Sequence, residues 1–200
     1  FPVLVPGLLL LVAGIATRPR AAQQARLAAH VSVGLAPSTT GVLCVPFLEA
    51  MRTRYPDVRL RLVESLSGNL GNMLNARQLD VAVLFETASA RRWSVIPLLD
   101  ERLFVVGQGS LPGMPQGRRV RLGQLGAVPL ILPGHSHGLR AIVDRAFART
   151  KCEPHIVLEI DGLAALMDAV RAGLGATVQP GAAMVRVPNE QVAMVEIADK

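Results

Sequence analysis

Aromatic side chains are scarce in this sequence: five Phe, one Trp and one Tyr in 200 residues. A core must therefore be assembled mainly from Leu, Val, Ile and Ala, and half the residues are hydrophobic, which is enough. Cysteine is scarcer still. Cys44 and Cys152 make neither a disulfide framework nor a metal set, and two reduced thiols are expected. Long apolar runs are missing too. The apolar leader from Phe1 to Ala16 is interrupted by Pro2, Pro6, Gly7 and Gly14, and falls short of the roughly 18 residues a membrane helix wants. Its Arg residues follow the apolar stretch, the wrong order for a secretory signal.

What is present is mostly balanced. Net charge is +6, from 21 basic and 15 acidic residues. Arg18, Arg20 and Arg26 meet no acid in the first thirty residues, so half the excess sits there. The remainder carries no basic stripe, and the cluster Arg118, Arg119, Arg121 reads as a solvated loop. The body of the chain therefore does not have the charge pattern of a nucleic-acid surface.

From Val31 the hydropathy pattern becomes regular. Val31 to Leu35 alternates like a strand, and a helix is expected from Pro37 to Arg54, stopped by Tyr55-Pro56. A strand over Val58–Glu64, a helix with Leu66, Leu70, Met73 and Leu74 on one face, and a buried strand Asp80–Phe85 complete a βαβαβ unit. Right-handed crossovers and a parallel sheet follow. The logic repeats: one strand over Leu98–Val106, another over Val128–Leu132, then a helix with Leu139, Ile142, Val143 and Phe147. A strand Ile156–Ile160, an N-cap at Asp161, a helix Leu163–Ala172 closed by Gly173, and strands at Ala176–Val178 and Val192–Ile197 come after. Two α/β lobes are expected.

The run Val31-Ser-Val-Gly-Leu-Ala-Pro-Ser38, then Val45-Pro-Phe-Leu48, Arg54-Tyr-Pro-Asp-Val58 and Leu79-Asp-Val-Ala-Val83 resembles the effector-binding domain of LysR-type transcription regulators. Pro97-Leu-Leu, Leu132-Pro-Gly134 and Asp168-Ala-Val-Arg-Ala-Gly-Leu-Gly175 before Gln179-Pro180 extend the resemblance to roughly residues 31–198. It implies an α/β fold of the type 2 periplasmic-binding-protein kind: two Rossmann-like lobes, a hinge, and an effector in the interlobe cleft. Residues 1–30 are then an atypical apolar leader with a candidate remnant of a linker helix, 31–97 the first lobe and 98–200 the second. It further implies a small-molecule effector, DNA contact through an N-terminal helix-turn-helix absent from this chain, a homodimer or homotetramer, a cytoplasmic location, no membrane and no cofactor. Family chains return to the first lobe with one more strand and a helix. That return is missing after Ile197, so the first-lobe sheet is expected to lack a strand and leave an edge open. Gln78 stands where many relatives carry a glycine C-cap.

Open α/β sheets bind ligands beyond the carboxyl ends of their strands. Pro37-Ser38-Thr39-Thr40 lies there, at a helix N-terminus whose free N–H groups and dipole favour an anion; the alternative is plain capping by one hydroxyl. His135 and Ser136, in the loop Gly134–Gly138, are the matching candidates of the second lobe. Two histidines without a third ligand do not make a metal site, so none is expected. Arg140 is placed to neutralise an effector carboxylate, or else is a solvated surface residue. Ser65 after Glu64, Phe85 before Glu86, and Pro180 complete the candidate set, although a Phe such as Phe85 is more often a core residue than a ligand platform. Catalysis is not expected: the Gly34–Gly41 stretch lacks a phosphate-loop lysine, and Ser38 has no evident base and acid. The function expected is effector sensing that controls transcription, with an anionic metabolite as the expected effector. The alternative is a stand-alone solute-binding protein of a transporter, which would be exported.

Overall fold

The computed structural model describes residues 7–13, 30–85, 93–186 and 192–198. The leader's ends, the linker-remnant stretch 14–29 and Glu86 lie outside the described residues.

The first lobe runs through β1 (Gly7–Ala13), β2 (His30–Leu35), α1 (Pro37–Arg54), β3 (Arg59–Glu64), α2 (Ser67–Asn75), β4 (Val81–Phe85) and β5 (Ser94–Glu101). Its sheet order is β3-β2-β4-β1-β5. β2, β3 and β4 are parallel, with Val33 beside both Leu62 and Val81, as the βαβαβ pattern requires. The expected gap in this sheet is filled. β1 enters between β4 and β5, antiparallel to both, with Leu11 opposite Val83 on one side and Ile96 on the other. The apolar leader is thus a central strand, and the edge expected to be open is covered. A seven-residue apolar run without Pro or Gly beyond its first residue suits such a slot better than a membrane or a linker.

The second lobe holds β6 (Leu103–Gly107), β7 (Arg119–Val120), β8 (Leu130–Leu132), α3 (Gly138–Ala148), β9 (Ile156–Glu159), α4 (Leu163–Arg171), β10 (Thr177–Pro180) and β11 (Ala193–Ile197). Its sheet is β10-β6-β11-β7, and the parallel pair β8-β9 joins it through a bridge between Leu130 and Ala176. The single strand expected over Leu98–Val106 is two strands. The chain changes sheet at Arg102, and β5 and β6 belong to different lobes. After β10 a 3₁₀ segment, Gly181–Arg186, packs against α1 of the first lobe. Among the described residues no helix is long and apolar enough to cross a membrane.

The helices end as their sequences dictate. α1 begins with Pro37 at its first position, carries Arg52 and Arg54 in its last turn, and stops before Pro56. α4 closes on Gly173 at φ 75°, with Leu174 N–H donating to Ala169 O. α2 closes the same way, but its left-handed residue is Arg77 at φ 56°, one position before Gln78. Gln78 N–H donates to Met73 O and Arg77 N–H to Leu74 O, so the cost of a side chain in that conformation falls on Arg77. The buried core is continuous between lobes, from Val33, Leu35, Val83 and Phe85 to Leu103, Val105, Leu130 and Val178.

Glu101, the last residue before the hinge, has a buried Oε2 without a hydrogen-bond partner, and burial raises its pKa above the usual glutamate range. The folded state therefore binds this proton more tightly than the unfolded chain does. Its stabilising effect is full below the unfolded value and is lost as pH rises through the raised one. Glu101→Gln should remove that dependence. In paired melts the variant is expected to gain on wild type as pH climbs from 4 toward 8, and a constant difference across that range would count against it.

Candidate functional site

Strand ends of both lobes meet at one cleft. From the first lobe come Ala36, Pro37 and Ser38 at the start of α1, Leu66 and Ser67 at the start of α2, and Phe85 at the end of β4. From the second come Pro133 after β8, His137 and Leu139 around the start of α3, Ile160 to Leu166 around the start of α4, and Gln179 on β10. This chamber has room for about 40 Å³. It shares Pro37 and Leu163 with a second chamber of about 170 Å³, lined also by Gly41, Glu64 and Arg171.

Backbone bonds seat the first wall. Ala36 N–H donates to Val83 O at 3.1 Å, and Phe85 N–H to Ser67 Oγ at 3.2 Å. No side chain caps α1: its N-cap is Ala36, and the Thr40 hydroxyl donates back to Ala36 O at 3.1 Å. The alternative of hydroxyl capping at this site is thereby corrected. The second wall is pinned by Asp161, expected as the N-cap of α4. It does not cap. Gly162, at φ 142°, is the N-cap residue, and Asp161 Oδ1 accepts from Gly134 N–H at 2.8 Å instead. That bond, with a smaller contribution from His137, holds the Asp161 carboxyl below its ordinary range, against the opposing effect of burial.

A hydrogen bond crosses the cleft directly. Gly68 N–H donates to His137 Nδ1 at 3.2 Å, which puts the imidazole proton on Nε2. His137 is 2% exposed. Its Nε2 lies 3.2 Å from Asp161 Oδ1, yet it is off the line of donation and has no hydrogen-bond partner.

The expected site residues separate into two groups. Pro37, Ser38 and Phe85 line the cleft. Thr39 and Thr40 belong to the same first turn but are buried behind it, Thr40 bonded to Ala36 and Thr39 with an unpartnered hydroxyl. Ser65 accepts from Asn69 Nδ2 at 3.3 Å, and Pro180 is buried in β10; neither is among the lining residues. Ser136 is exposed, and it is the neighbouring His137 that faces inward. His135 points to Asp144 Oδ2 at 3.2 Å and to Glu159 Oε1 at 3.6 Å.

Arg140 is neither a solvated residue nor a cleft residue. Its side chain is 3% exposed and donates to Asp144 Oδ1 at 2.8 Å, Glu159 Oε1 at 2.6 Å and Pro133 O at 2.9 Å. Burial works to lower its pKa, but the bonds to Glu159 and Asp144 outweigh it and raise the value. The sequence reading missed Ser67, His137 and Gln179. A polar residue at a strand end or helix start was the available signal, but side-chain direction at one-residue resolution was not.

Gly134-His-Ser-His-Gly138 also has the Gly-x-Ser-x-Gly spacing of a hydrolase nucleophile elbow, between a strand and a helix. The geometry supplies no assembled nucleophile. Ser136 is not among the residues at positive φ, His135 is engaged by Asp144 and Arg140, and His137 by Gly68. Among the described residues no group of three or more His, Cys, Asp or Glu side chains is arranged for a metal ion.

The profile of the LysR substrate binding domain matches residues 24–200. The chain is similar to the nitrogen assimilation regulatory protein nac of Klebsiella aerogenes, 36% identical over 158 residues that cover 78% of this chain and 50% of that protein. With nac of Escherichia coli K12 it is 32% identical over 174 residues, 82% of this chain and 56% of that one. The chain thus spans about half the length of these relatives. Among solved structures it is similar to the effector binding domain of QuiR in complex with shikimate, with a TM-score of 0.76, 16% identity and coverage of 86% and 81%. The CcmR regulatory domain of Synechocystis PCC6803 in complex with 2-PG gives 0.71, 16%, 84% and 81%. Both likenesses show the fold: two lobes of the type 2 periplasmic-binding-protein kind. On its profile match and its sequence relatives, the chain belongs to the LysR substrate-binding domain family.

Proposed function

We propose that this chain is the metabolite-sensing part of a longer LysR-type transcription regulator. A small effector enters the interlobe cleft, with a negative charge held at the N-terminus of α1, and biases lobe closure. The observation that carries this reading is the cleft itself: two lobes contribute opposite walls, and a hydrogen bond from Gly68 to His137 spans it. A ligand that touches both walls binds the closed form better than the open one, which is the condition for shifting the equilibrium. DNA contact then falls to a helix-turn-helix elsewhere in the regulator, in a homodimer or homotetramer working in the cytoplasm. The regulator names of the relatives favour this over a transporter's solute-binding protein and over an enzyme.

Ser38→Trp tests it, because Ser38 lines the cleft and an indole there occupies the effector's place. In the product of the whole gene, promoter occupancy should respond to a small-metabolite extract of the source cells. The Ser38→Trp product should lose that response. An undiminished response in a folded variant would move the sensing site out of the cleft.

A further inference from the structure

The bond that crosses the cleft has a titratable acceptor. His137 Nδ1 takes the Gly68 N–H at 3.2 Å through its lone pair, and an imidazole with one proton on Nε2 adds its second proton at that same lone pair. Once protonated, Nδ1 faces the Gly68 N–H donor to donor. The ring therefore cannot keep this bond and carry a charge.

The opposite edge of the ring has the converse arrangement. Nε2 is buried without a hydrogen-bond partner, although Asp161 Oδ1 lies 3.2 Å away. The Gly134 N–H, against the opposing effect of burial, holds the Asp161 carboxyl below its ordinary range, so it is ionised wherever an imidazole titrates. Each protonation state thus satisfies one edge. The neutral ring is bonded to the first lobe, and an imidazolium has its counter-charge in the second.

Other charges of the second lobe near the ring are engaged. His135, in the same loop, turns to Asp144 and Glu159, and Arg140 on α3 bonds the same two carboxylates. Among the described residues, α1, α2, β4 and β10 present Ser38, Ser67, Phe85 and Gln179 to the chamber, none of which titrates near neutrality. Glu64 and Arg171 lie on the second chamber. A further charge close by moves the pH of the change but not its direction, because the direction follows from Nδ1 being occupied in one state and free in the other.

We propose that this contact is a proton-controlled latch: acidification places a second proton on His137 Nδ1, breaks the bond to Gly68 and hands the ring to an ion pair with Asp161. The latched state binds one proton fewer than the released one, so the latch is strongest at high pH and is lost as pH falls. That the latch tunes sensing rests on the cleft being the effector site. Its protonation does not.

Nuclear magnetic resonance on the 15N-labelled 200-residue chain reads the latch directly. At about pH 8 a scalar coupling is expected across the bond between the Gly68 and His137 Nδ1 nitrogens. It should vanish by about pH 5, with the Gly68 amide proton moving upfield. His137→Asn offers an amide oxygen in place of Nδ1 and does not titrate, so its Gly68 amide should stay in place over that range. Asp161→Asn keeps an acceptor for Gly134 N–H but no charge. It should lower the midpoint by roughly half a unit to one unit, a modest shift because the Asp161 side chain is 57% exposed. A coupling absent at about pH 8 or persisting at about pH 5 overturns the latch, as does a Gly68 amide that moves equally in His137→Asn. If His137→Asn does not fold, the Asp161→Asn titration decides, and an unchanged midpoint overturns the proposal. Each of these failures leaves the cleft reading standing, since Ser38→Trp tests that separately.

Discussion

Replacing Gly68 by alanine should force the two lobes apart. A Cβ at this position would lie 2.3 Å from the backbone oxygen of Ser136 and 2.9 Å from His137 Nδ1, both in the opposite lobe. No side-chain rotation relieves a clash with a backbone oxygen. Either the loop holding Ser136 shifts or the lobes separate, and that loop is anchored by the Gly134 bond to Asp161. A small opening at the mouth of the cleft gives up the hydrogen bond between Gly68 and His137, worth about 1 kcal/mol net, and leaves the apolar core shared by the lobes in place, whereas overpacking costs about 1–3 kcal/mol. Such a partial opening is therefore the cheaper response. The expected result is a larger radius of gyration by small-angle scattering with a melting temperature near wild type. Effector affinity should fall roughly tenfold, because closure must be driven against the clash. His137→Ala removes the bond without the clash and should weaken binding less. Unchanged scattering and unchanged affinity in Gly68→Ala would show that the Ser136 loop yields instead.

The same contact marks the limit of what the sequence could disclose. Parallel strands and amphipathic helices were legible because period and punctuation act locally: Val81 to Phe85 is apolar on both faces and is buried, and Gly173 closes α4 where a left-handed residue is needed. The fifth strand of the first lobe was not legible. Gly7 to Ala13 pairs with β4 and β5, more than sixty residues away, and a short apolar run states neither its partner nor its direction. The break at Arg102 was hidden for a related reason. Asp100, Glu101 and Arg102 interrupt the apolar residues of β5 and β6, but no Gly or Pro marks the break, and it is the change of partner strands that separates them.

At the site, the end of β2 and start of α1 could be placed from general rules of α/β sheets, and Pro37, Ser38 and Phe85 do line the cleft. What those rules lack is side-chain direction. In Gly134-His-Ser-His-Gly138 the two histidines are two residues apart, yet one faces Asp144 and solvent while the other is buried against Gly68. Choosing between them takes the exit angle of β8 and the start of α3 at His137, which are tertiary quantities.

Arg140→Leu should destabilise the second lobe strongly, with little effect on effector contacts. The guanidinium ties α3 to β9 and to the end of β8 by bonding Asp144, Glu159 and Pro133 O at once. Its removal leaves two carboxylates facing each other and an unpaired carbonyl. Breaking a buried ion pair costs about 3–5 kcal/mol. Here the lower end applies, because Asp144 and Glu159 are 35% and 49% exposed and water screens them once the cation is gone. For a chain of this size a loss of about 3 kcal/mol lowers the melting temperature by roughly 6–12 °C. Arg140→Lys should recover only part of it, since one ammonium cannot reproduce the fork that spans Asp144 and Glu159. The Arg side chain does not line the cleft, so effector affinity measured well below the variant's melt should stay near wild type. A stable Arg140→Leu protein with lost affinity would return this residue to the binding site.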